Sequence, residues 1–194
     1  LRLTDAVPYK KGYMYVKSTF PTTMGITADF EYKAWRNVAD TVNFGADGFT
    51  FFLFDGAITE EKFLLGGWGG SLGYATFSSP ANTPGLSGGY IGIGFDAFGN
   101  YIRSVENRNG GQTDYLPNSI VLRGPTTATY SQSNIYLASK ALGNRSGTLS
   151  DIRKRNEIDY NTTTATRPND NVFYRRVQVS IIKSGTDYII NVKW

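Results

Sequence analysis

Apolar and polar residues alternate one by one in several short runs of this chain. Residues 26–32, 177–181 and 188–192 all follow this pattern, the last with one break. Alternation with a period of two puts successive side chains on opposite faces of an extended strand, one face toward a core and the other toward water. Residues 49–54 and 91–95 are nearly continuously apolar and read as central strands, with Gly92 and Gly94 allowing a neighbour to pack close. Between these runs lie stretches rich in Gly, Pro, Asn and Ser at 66–73, 78–89 and 107–113, and residues 183–187 read as a hairpin turn. Helical patterning is confined to short segments near 57–63 and 150–155, and no 20–50-residue repeat is present. Many short strands, frequent turns and no alternating helices predict an all-β antiparallel sandwich.

With 194 residues, 40% of them hydrophobic, the chain can bury one sizeable core, and no internal linker divides it. No apolar run approaches the roughly 18–20 residues that span a bilayer, so membrane insertion is not expected. The net charge of +4 is mild, and the basic residues are scattered apart from Arg153-Lys154-Arg155 and Arg175-Arg176. These read as solvated surface, and no nucleic-acid partner is expected. The chain has neither cysteine nor histidine. That excludes disulfides, thiol nucleophiles, Ser-His-Asp catalysis and the usual zinc sites, and leaves oxygen ligation of calcium or magnesium as the available metal chemistry.

Three motifs concentrate the remaining chemical signal. Ala46-Asp47-Gly48 precedes the strand at 49–54. A glycine-rich loop runs from Gly66 through Trp68, Gly69, Gly70 and Ser71 to Tyr74. The strand ending at Asp96 continues as Ala97-Phe98-Gly99-Asn100. A carboxylate at 96, an amide oxygen at 100 and a backbone carbonyl at Phe98 between them can face one point, which suits calcium; the same spacing also suits a side-chain-capped turn. The glycine loop lacks the Lys-Ser or Lys-Thr pair of a phosphate loop, and can offer backbone N–H groups to a polyhydroxyl ligand or serve as a tight turn. Asp47 can accept hydrogen bonds from adjacent sugar hydroxyls or close an Asp-Gly turn.

In order and spacing these motifs resemble the L-type (legume-lectin-like) family, in particular its bacterial members. The likeness extends over essentially the whole chain. It takes in Leu3-Thr4-Asp5-Ala6-Val7 as the entry to a first strand, Pro117-Asn118-Ser119-Ile120-Val121-Leu122-Arg123, and Tyr174-Arg175-Arg176-Val177-Gln178-Val179. The resemblance implies a concanavalin-like antiparallel β-sandwich (jelly-roll) over residues 1–194, lacking the family's C-terminal loop and strand. It implies a calcium-dependent carbohydrate-binding module, not an enzyme, with glycans or polysaccharides as partners. It places such a module in a larger multidomain adhesin that is extracellular or on a bacterial cell surface.

The resemblance also assigns roles. Asp47 follows a cis peptide bond and binds sugar. Gly70, or Gly69, offers its N–H. Asn100 binds both calcium and sugar, and Asp96 and the Phe98 carbonyl bind calcium; the second carboxylate has no unambiguous match in the family pattern, and Glu106, or else Asp114, lies within reach in the loop after Asn100. Phe98, Trp68 or Tyr101 stacks on the sugar. The legume members' transition-metal site is not expected, because Gly94 stands where they have glutamate and the chain lacks histidine. Two other readings share the fold: a structural or protein-binding sandwich with a degenerate site, and a polysaccharide-cleaving enzyme. The carboxylate signature of the enzyme begins at Glu157-Ile158-Asp159 but breaks at its third position, Asn161 or Thr162.

Overall fold

The computed structural model describes residues 1–5, 7, 9–37, 45–78, 82–131, 133–162, 167–169 and 173–194. Ala6 of the first-strand motif and residues 79–81 of the second turn-rich stretch lie outside them. In chain order the strands are β1 (Ile26–Tyr32), β2 (Trp35–Asn37), β3 (Gly48–Phe54), β4 (Gly89–Asp96), β5 (Ser119–Arg123), β6 (Tyr136–Ala141), β7 (Tyr160–Thr162), β8 (Arg175–Ser184) and β9 (Asp187–Lys193). One short helix, α1 (Leu149–Arg153), lies between β6 and β7. The fold is all-β. Antiparallel pairing builds a four-stranded sheet in the order β3-β4-β5-β6 and a three-stranded sheet in the order β1-β8-β9; β2 and β7 form a small parallel pair. Among the described residues no helix is long and apolar enough to cross a membrane.

The alternating runs occupy β1, β8 and β9 as their pattern requires. On β8, Val177, Val179 and Ile181 are buried, and they share one apolar cluster with Ile91, Ile93 and Phe95 of β4 and Ile120 of β5. Fully burying each such side chain contributes roughly 1.5–3 kcal/mol. The opposite face of β4 is covered differently. A Cβ on Gly92 would stand 2.4 Å from the Tyr74 ring, and one on Gly94 would stand 2.5 Å from the Tyr101 ring. The two glycines therefore let two tyrosines lie directly on the sheet. These tyrosines belong to a second cluster with Phe63, Leu86, Ile102 and Val121.

Two expectations need correction. Among the described residues the 49–54 run is an edge strand of its sheet and not a central one; its side chains are half-buried on both faces, which explains an apolar run without a central position. Residues 1–5 and 7 are exposed and form no strand, so the first-strand entry is not seen among the described residues. The hairpin at 183–187 is present, with Gly185 at φ 63° between β8 and β9. Of the helical segments, 150–155 contains most of α1, and 57–63 contains only a 3₁₀ turn at Glu60–Lys62.

The outer face of the three-stranded sheet carries a charge pair that depends on register. Glu31 lies opposite Arg176, and Asp29 lies opposite Gln178. Asp29 accepts both Nε and Nη2 of Arg176 at 2.7 Å and Nε2 of Gln178 at 2.8 Å. These bonds, those from Arg176 foremost, hold its carboxyl down to about 2, against about 3.9 in an unfolded chain. The folded protein thus binds fewer protons than the unfolded one in this interval. The stabilisation is present above pH 4 and is lost as the pH falls toward 2. An NMR titration of the Asp29 carboxyl should show a midpoint near 2; an ordinary midpoint would contradict the pairing.

Candidate functional site

Asp47 stands at the start of edge strand β3, opposite the end of β4. The register pairs Gly48 with Asp96, so the 46–48 turn and the 96–100 turn leave the sheet side by side. The Asp47 carbonyl accepts the N–H groups of Ala97 and Phe98 at 3.0 and 3.2 Å, which ties the two turns together through backbone alone. The Ala46–Asp47 peptide bond is cis.

The Asp96 carboxylate is fully buried and shapes its own turn. Its two oxygens accept Gly99 N–H at 2.6 Å and Tyr101 N–H at 2.7 Å. Burial pushes the carboxyl up to about 7, against the pull of these two donors, which favour the ionised form. The turn carries Asn100 to Asp47, 53 residues away in sequence, and Asn100 Nδ2 donates to Asp47 Oδ1 at 3.3 Å.

The glycine loop closes the third side. A 3₁₀ turn at Gly69–Ser71 follows Trp68, and its N–H groups at Gly69 and Gly70 have no acceptor among the described residues. A Cβ on Gly70 would stand 2.4 Å from both Cγ and Nδ2 of Asn100, and one on Gly69 would stand 3.6 Å from Asp47 Oδ2. Gly70 therefore allows Asn100 to reach Asp47, and the free oxygen of Asp47 faces Gly69. Three loops far apart in sequence meet as the motifs suggested, bringing Asp47, Gly69, Gly70, Asp96, Phe98 and Asn100 together.

Two arginines complete this cluster: Arg108, which the sequence did not single out, and Arg153, which it placed in a basic surface run. Arg108 is buried. Its Nη1 donates to the Gly70 carbonyl at 2.8 Å and its Nη2 to Glu106 Oε2 at 2.9 Å, which fixes the glycine loop from behind. Arg153, at the end of α1, donates Nε to the Phe98 carbonyl at 2.9 Å. Its guanidinium carbon lies 3.6 Å over the Phe98 ring and 4.7 Å over the Tyr115 ring. The 153–155 run is thus not uniformly solvated surface, because its first member packs into the site. Burial pushes the Asp47 carboxyl up, opposed by the Asn100 bond and by the charges of Arg108 and Arg153.

The expected calcium ligands can now be tested against this arrangement. Both oxygens of Asp96 are taken by backbone donors, and the Phe98 carbonyl is taken by Arg153. Glu106 pairs with Arg108. Asp114 is exposed, and no contact joins it to Asp96 or Asn100 among the described residues. Of the expected ligand oxygens, Asn100 Oδ1 is the one that is buried without a partner among the described residues. One open oxygen among the expected ligands falls short of the six to eight that calcium takes, and that donor set as arranged does not fit the ion.

Of the three stacking candidates, Tyr101 is fully buried under Gly94 and is removed. Phe98 has one face covered by Arg153. Trp68, 37% exposed beside Gly69, keeps ring surface accessible. Asp159, in the broken carboxylate signature, is buried against the Arg36 guanidinium and is not presented to solvent.

No family model matches this chain, and no curated protein or solved structure matches it.

Proposed function

We propose that this chain is a carbohydrate-binding module with the concanavalin-like sandwich of the L-type lectins, serving attachment from a bacterial secreted or cell-surface adhesin. The observation that carries the reading is the contact of Asn100 Nδ2 with Asp47 Oδ1 across Gly70. It leaves a carboxylate oxygen, an amide and the N–H groups of Gly69 and Gly70 at one rim, with Trp68 beside them. An acceptor that takes two hydroxyls, flanked by donors and an apolar ring, matches the alternating hydroxyls and apolar face of a pyranose. The sequence resemblance to the L-type lectins supports the same reading. So does the shared core of the two antiparallel sheets, which is the packing a sandwich requires.

A glycan array tests the reading: the wild-type protein should be retained on one or a few related glycans. Gly70→Ala would put a methyl group into the Asn100 side chain and force it away from Asp47. Retention should then fall at least about tenfold, while the fold tolerates an overpacking cost of about 1–3 kcal/mol. Equal retention of Gly70→Ala would remove the Asp47–Asn100 contact from the explanation.

A further inference from the structure

The arrangement around the Phe98 carbonyl points to a built-in cation. We propose that the guanidinium of Arg153 takes the place of a bound calcium ion in this site and holds the 96–100 turn for ligand recognition without metal. The proposal rests on the carbohydrate-binding reading for what the turn is held ready to do, but not for the cation itself.

Four observations converge. The carbonyl expected to face calcium instead accepts Arg153 Nε at 2.9 Å. The same guanidinium is stacked over Phe98 at 3.6 Å and packs against Tyr115 at 4.7 Å, so two aromatic rings hold it in place. Its Nη2 is buried without a partner, and the Asn100 amide leaves a buried acceptor, Oδ1, without one. A buried donor on Arg153 and a buried acceptor on Asn100 are thus both left over at the ends of the turn's contacts. Finally, the positive charge of Arg153 acts on Asp96 and Asp47, the carboxylates a cation there would neutralise.

The fold delivers this arginine deliberately. Thr148 and Asp151 form a reciprocal capping box that starts α1, and Ile152 is buried. The fully buried Asn118 donates Nδ2 to the Ile152 carbonyl at 2.7 Å and accepts Ile158 N–H at 3.3 Å. The last residue of the helix is thereby held over the turn. An arginine stays protonated at any physiological pH, so the site would keep its cation under dilution or chelation. A divalent ion entering beside it would meet like charge, and Glu106 is committed to Arg108.

The test is calorimetric titration of CaCl₂ into the wild-type protein, with thermal unfolding in CaCl₂ and in a chelator. The expected result is no binding heat and no shift in Tm, and glycan retention unchanged by the chelator. Binding of calcium with a dissociation constant tighter than about 1 mM, the weak end of extracellular calcium sites, would overturn the proposal. Arg153→Ala should lose glycan retention and gain a calcium-dependent rise in Tm, because it frees the Phe98 carbonyl and removes the positive charge acting on Asp96 and Asp47; the gain is a readout that a merely structural arginine would not produce. Wild-type retention by Arg153→Ala would also overturn it. Should that variant not fold, Arg153→Lys keeps the charge without the Nε bond, and it should remain insensitive to calcium while retaining glycans less well. If the wild type binds no glycan at all, the carbohydrate reading falls, and the calcium titration alone decides the assignment of Arg153.

Discussion

Replacing Arg123 by lysine is expected to lower stability by about 4 kcal/mol, a drop in Tm on the order of 10 °C for a chain of this size. Arg123 is fully buried, at the end of β5, and its partners are backbone carbonyls. Nε donates to Tyr101 at 2.8 Å. Nη1 reaches Asn134 at 2.7 Å and Asn109 at 3.4 Å. Nη2 reaches Ile102 and Arg103 at 3.0 Å each and Gly110 at 3.5 Å. Burial pushes the guanidinium down to about 10, still charged at neutral pH. One planar group thus gathers the 101–110 loop and the segment just before β6, and an ammonium cannot reproduce that fork. Each buried carbonyl left unpaired costs about 1–3 kcal/mol, and water can enter to relieve part of the loss. Thermal unfolding of Arg123→Lys measures it, and a Tm within two degrees or so of wild type would show that the carbonyls do not depend on the fork. The same loop carries Arg108 to Gly70, so the effect reaches the site.

Much of this frame was legible from period and punctuation. The strands at 26–32, 177–181 and 188–192 announce themselves because each faces core on one side and water on the other. The run at 49–54 was legible as a strand but not as an edge, since an apolar run records burial and not hydrogen-bonding neighbours. Asp47, Gly70, Asp96 and Asn100 could be singled out because turns at strand ends have local signatures. The arginines could not. Nothing near Arg153 in sequence indicates that α1 will place it over Phe98, 55 residues earlier. A basic triplet looks like a solvated surface until the topology is known. Arg123 is a further case: its burial is visible only once the loop it gathers is in place.

Asp47→Asn should separate binding from stability. The backbone carbonyl of Asp47, not its side chain, holds the two turns together, through Ala97 N–H and Phe98 N–H. The side chain makes one long bond, 3.3 Å to Asn100 Nδ2. Burial disfavours its charged form, so the folded protein carries a carboxylate at some cost to itself. Removing the charge should leave Tm unchanged or slightly raised. The ligand should feel the opposite effect, because hydrogen bonds to an ionised acceptor contribute about 1.5–3 kcal/mol each. Losing two of them weakens binding by on the order of 100-fold or more.

The measurement that bears most directly on the site is therefore a paired calorimetric titration. The oligosaccharide best retained by the wild-type protein is titrated into wild type and into Asp47→Asn, with both unfolding curves recorded. Affinity reduced at least about 100-fold in a variant of undiminished Tm is the expected result. Equal affinity in the two proteins would place ligand recognition elsewhere on the molecule.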